Sequence, residues 1–135
     1  MSERMNLRRR LIADLRAMGL STDCELVLRP YSKTMWGYYD PNTDKLILYM
    51  YSDRKCKALI QYETLFKVFL HELVHSLQWK SSKWKRITGV MHDAEFYDIL
   101  NKLLEIAKKK GLVANDRQEY AAYIVTGKQI GRAHV

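Results

Sequence analysis

The chain has 135 residues, enough for one domain with one modest core, and its 47% hydrophobic content predicts a packed fold, not disorder. No apolar run is long enough to span a bilayer, and the basic opening MSERMNLRRRLIADLRAMG lacks the apolar centre of a secretory signal. A net charge of +8 favours polyanionic partners, nucleic acid first.

Residues 3 to 18 carry Leu7, Leu11, Ile12, Leu15 and Met18 at helical spacing, and Gly19 supplies a stop. In CELVLRPY, Cys24, Leu26 and Leu28 alternate with Glu25, Val27 and Arg29 as in a strand limited by Pro30. WGYYDPNTDKLILYMY has the pattern of a hairpin. Residues 40 to 44 are rich in turn formers, and the flanks Trp36–Tyr39 and Leu46–Tyr51 suit strands. A long helix follows over about 62 to 79, with Phe66, Phe69, Leu70, Leu73 and Leu77 as its apolar face. A basic connection covers 80 to 91. The next helix runs from about 93 to 110 on the stripe Phe96, Ile99, Leu100, Leu103, Leu104 and Ala107, and closes at Gly111. A shorter helix is expected over 116 to 125. The pattern predicts an α+β fold with a small antiparallel sheet, as one domain over 1–129. The closing IGRAHV, residues 130–135, matches the translation of a sequencing adapter and is set apart as a non-native tail.

Cys24 and Cys56 form no CxxC pair. That argues for reduced thiols in a cytoplasmic protein, so a metal would have to be held by histidine and carboxylate. His71-Glu72-Leu73-Val74-His75 is an HExxH motif. On a helix, residues four apart share a face, so both imidazoles can reach one zinc ion. Glu72 lies about 100° around from His71, near the metal without being aimed at it, which suits a general base. A catalytic zinc takes three protein ligands. His92 is one candidate for the third. Glu95, one turn later, is another, although a Glu at that position also serves as a helix cap. Asp93 and Asp98 are candidates to orient ligand imidazoles.

HELVHSLQ…MHDAEFYDIL resembles the SprT-like zinc metallopeptidases over roughly residues 20 to 107. His71, Glu72 and His75 match the first part of the family pattern, and His92 and Phe96 match the second. Asp93 departs from the glycine usual there, and no zinc ribbon follows. The resemblance implies a zincin-like fold and a Zn2+ cofactor on His71, His75 and His92. It also implies Glu72 as acid/base and a protein or peptide substrate associated with DNA. Tyr97, Tyr120 and Tyr123 are nominal candidates to stabilise an oxyanion. The strand Leu46–Tyr51 is expected to offer an edge to an extended substrate. In QWKSSKWKRITGV, Trp79, Lys80, Lys83, Trp84, Lys85 and Arg86 interleave aromatic and basic groups, a composition suited to single-stranded DNA. Two rivals remain: an inactive zinc-containing DNA-binding module, and a general peptidase that uses Glu95.

Overall fold

The computed structural model describes residues 2–81, 94–114 and 133–134. In chain order the elements are α1 (Glu3–Ala17), β1 (Glu25–Arg29), β2 (Met35–Asp40), β3 (Lys45–Tyr49), α2 (Tyr62–Lys80), α3 (Ala94–Lys109) and the two-residue β4 (Ala133–His134). Helix α1 starts where Ser2 Oγ accepts a hydrogen bond from the Met5 amide at 3.2 Å. It ends at Gly19, whose φ of 80° lets the Gly19 and Leu20 amides turn back onto the Arg16 and Leu15 carbonyls.

The sheet order is β1-β3-β2-β4. The hairpin pairs β2 with β3 antiparallel, with Tyr39 opposite Leu46 and Gly37 opposite Leu48. β1 lies on the other side of β3 and pairs with it in parallel, Leu26 beside Leu46 and Leu28 beside Leu48. The sheet is therefore mixed, not antiparallel throughout. Its cause is visible in β3, whose Leu46, Ile47, Leu48 and Tyr49 are all buried. A run with no polar alternation belongs at a sheet centre. Once β3 returns between β2 and β1, its direction matches that of β1. The central position also removes the substrate edge expected of β3, because both its sides are paired. Ala133–His134 run parallel to β2 on that strand's outer side.

One sheet face carries Leu26, Leu28, Leu46 and Leu48, and these join the core with Leu11 and Leu15 of α1, Phe66, Phe69 and Leu73 of α2, and Phe96, Leu100 and Leu104 of α3. Gly37 is what lets α2 come down on β2. A Cβ built there would stand 2.7 Å from the Ile47 carbonyl oxygen and 3.1 Å from Val68 Cγ1. At the other end of the helix, Tyr62 donates a 2.5 Å hydrogen bond to Asp14 and receives Arg10 over its ring at 3.5 Å, which ties α2 to α1.

One expected core residue is misplaced. Leu77 is 46% exposed, while its neighbours Ser76 and Gln78 are buried. Both flanks of α2 are covered here, one by the sheet and one by α3, so the buried surface leaves the single stripe drawn through Leu77. The helix expected over 116–125 lies outside the described residues.

Candidate active site

The HELVH segment sits in the middle of α2. His71, Glu72 and His75 are 2%, 0% and 4% exposed, so all three polar side chains are buried. The imidazole centroids are 5.1 Å apart, as expected of positions one helical turn apart on a shared face. Phe96, at the start of α3, packs against both rings, at 4.8 Å from His71 and 4.7 Å from His75. Tyr97 stands edge-on to Phe96 at 5.3 Å. Helix α3 thus backs the histidine pair through one aromatic ring.

Glu72 points the other way, toward the sheet. It lies one turn after Val68, which occupies the space left by Gly37, so both residues face β2. Burial pushes the Glu72 carboxyl well above the usual carboxylate range, and the nearby Tyr39 backbone amide pulls weakly in the other direction. Neither oxygen makes a hydrogen bond of good geometry with a described residue. Glu72 Oε2 lies 3.9 Å from His71 Nε2, adjacent to it but beyond hydrogen-bond reach. The result is a carboxylate held beside an imidazole nitrogen with its acceptor capacity unspent among the described residues.

The two third-ligand candidates fare differently. Glu95 is exposed, and its Oε1 accepts a 3.1 Å hydrogen bond from Gln78 Nε2. Among the described residues no three His, Cys, Asp or Glu side chains converge as a metal site. Glu95 therefore does not join the histidine pair in this structure. His92 and Asp93 lie outside the described residues. Asp98 forms a 3.2 Å ion pair with Lys102 on the exposed side of α3, away from an orienting role.

Of the basic-aromatic stretch, Trp79 is 38% exposed. Lys80 bonds inward: its ammonium lies 3.2 Å from Asp44 Oδ1 and 3.5 Å from Cys24 Sγ. That salt bridge at the last turn of α2 leaves the Lys80 side chain 42% exposed. Lys83, Trp84, Lys85, Arg86, Tyr120 and Tyr123 lie outside the described residues. Sequence reasoning passed over Gly37 and the Tyr39 amide. A lone glycine inside an aromatic strand was the available signal for the first, since it marks close backbone approach.

No family model matches the chain, and no curated protein matches it. The chain is similar to a solved structure, the metallopeptidase zymogen of Pyrococcus abyssi abylysin. The identity is 16% and the TM-score 0.46, over 76% of this chain and 90% of that one. At that distance the likeness carries no argument about the site, which stands on its own residues.

Proposed function

We propose that this chain is a zinc-dependent endopeptidase of SprT-like type, with His71, His75 and His92 as metal ligands and Glu72 as acid/base. The observation that supports it best is the buried pair of imidazoles on one helix face, with a wholly buried carboxylate beside it that makes no hydrogen bond of good geometry among the described residues. The donor chemistry fits: neutral imidazoles suit zinc, and a carboxylate next to the ligands, not among them, suits proton transfer. His92 is favoured over Glu95 because Gln78 holds the Glu95 carboxylate. Zinc, when bound, supplies Lewis-acid polarisation of the scissile carbonyl and acidifies water. Glu72 takes a proton at a carboxylate oxygen from the attacking water and returns it to the leaving amine. Phe96 holds the two imidazole rings from behind, and Val68 against Gly37 fixes the helix height that sets Glu72 at the sheet.

We assign DNA-associated proteins as the substrate class. The net charge of +8 and the exposed Trp79 support that assignment. The nucleic-acid candidates are Trp79, Lys80, Lys83, Trp84, Lys85 and Arg86, of which Lys80 also pairs with Asp44.

Glu72→Gln tests the chemical role. The variant should keep the metal and lose proteolysis by roughly 10²- to 10⁴-fold, measured as cleavage of a DNA-bound protein. Undiminished cleavage would remove Glu72 from the mechanism.

A further inference from the structure

A second reactive cluster lies at the C-terminal end of α2, built from three distant parts of the chain. Cys24 precedes β1, Asp44 ends the turn between β2 and β3, and Lys80 closes α2. Asp44 Oδ1 accepts from the Cys24 thiol at 3.3 Å, from the Tyr39 hydroxyl at 2.8 Å and from the Lys80 ammonium at 3.2 Å. One carboxylate thus holds a thiol and an amine against each other, with Lys80 Nζ 3.5 Å from Cys24 Sγ. Cys24 is only 8% exposed. It nevertheless lines a cavity of about 180 Å³ together with Arg8, Arg16, Ser21 and Thr22, which is ample for an oxidant little larger than water.

We propose that Cys24 and Lys80 form a sulfur–nitrogen crosslink when a peroxide oxidises the thiol. The Cys24 sulfur attacks one peroxide oxygen and the O–O bond breaks. The thiol becomes a sulfenic acid and the other oxygen leaves as water. Lys80 sheds one proton to solvent, and its amine attacks the same sulfur. The S–O bond breaks, and the hydroxyl departs with an amine hydrogen as a second water. In sum, one thiol, one ammonium and one peroxide give one S–N bond, two waters and one proton. The bond replaces the Lys80–Asp44 ion pair and fastens β1 to the end of the HExxH helix. This proposal does not depend on the peptidase reading.

The test treats the full chain with a few equivalents of hydrogen peroxide and maps the digest by mass spectrometry without reductant. The expected product joins the Cys24 and Lys80 peptides, with an intact mass lower by about 2 Da, and a thiol reductant reverses it. Cys56, whose thiol faces the Arg54 carbonyl, is the internal control and should not bridge. The bridge should be absent from Cys24→Ser and Lys80→Arg, and from wild type oxidised in urea. Circular dichroism checks that the variants fold, and a misfolded Cys24→Ser leaves Lys80→Arg to decide. A folded wild type in which Cys24 stays a thiol, or proceeds to sulfinic acid unbridged, overturns the proposal. So does a bridge that forms equally well in urea.

Discussion

Helices α2 and α3 pack against each other and differ in how much polar surface they hide. Helix α3 buries Phe96, Leu100, Leu103, Leu104 and Ala107 and shows Glu95, Asp98, Lys102 and Glu105 to solvent, as an amphipathic helix should. Helix α2 buries Lys67, His71, Glu72, His75, Ser76 and Gln78 alongside its apolar residues, and these are all the buried polar residues among those described. Burying polar groups costs stability unless they are bonded. Half of these have visible compensation. Lys67 lies 3.7 Å from Glu63, Ser76 donates to the Leu73 carbonyl at 2.7 Å, and Gln78 donates to Glu95. Glu72 has none of comparable quality. The lesson is that α3 is shaped by packing, whereas the middle of α2 accepts a cost that packing does not explain.

The contrast can be broken at the point where the helices meet. Phe96 is wholly buried and touches both imidazoles. Phe96→Ala should cost about 3–5 kcal/mol in urea unfolding. It should also weaken metal binding, whereas Leu100→Ala, farther along α3, should lower stability and leave metal affinity unchanged. Equal metal affinity in wild type and Phe96→Ala would show that α3 does not hold the histidines. A smaller loss is expected at the sheet. Gly37→Ala forces a Cβ toward the Ile47 carbonyl and Val68, and should cost about 1–3 kcal/mol. Unchanged stability there would mean that α2 can rise from β2 without penalty.

The smallest effect belongs to the far end of α2, where a polar group is well bonded. The Tyr39 hydrogen bond is the main cause that holds the Asp44 carboxyl below its ordinary value of 3.8, with Cys24 and Lys80 adding to it against burial. For Lys80, burial pulls downward, but Asp44 and Cys24 together outweigh it and leave the ammonium held above its usual range. A carboxyl with a lowered folded-state pKa stabilises the fold above its unfolded value, and that contribution is lost as pH falls through the folded value. Stability should therefore drop slightly more steeply below about pH 4 in wild type than in Asp44→Asn. The partly exposed pair is screened, so the difference should stay under about 1 kcal/mol. Parallel acid-unfolding curves for the two proteins would remove Asp44 from the stability balance.

Much of this was legible in the sequence where the signal is local. The periods of α1, α2 and α3 follow from spacing, and HExxH on a helix puts His71 and His75 on one face whatever the fold. What escaped depends on partners distant in the chain. The run Leu46–Tyr49 reads equally well as a hairpin arm or as a sheet centre until β1 is placed beside it. Glu95 stands one turn from His92 in sequence, yet its direction is set by Gln78, 17 residues away. Lys80 looks like a free surface charge until the hairpin turn brings Asp44 to it. Leu77 matches the apolar period, but the surfaces that cover α2 do not follow a single stripe.

The most direct test of the central claim is the zinc content of purified wild type, His92→Ala and Glu95→Ala, prepared without chelators. The site proposed here predicts about one zinc per chain in wild type and in Glu95→Ala, and a large loss in His92→Ala. A wild type without zinc contradicts it, as does a Glu95→Ala protein that loses the metal while His92→Ala keeps it.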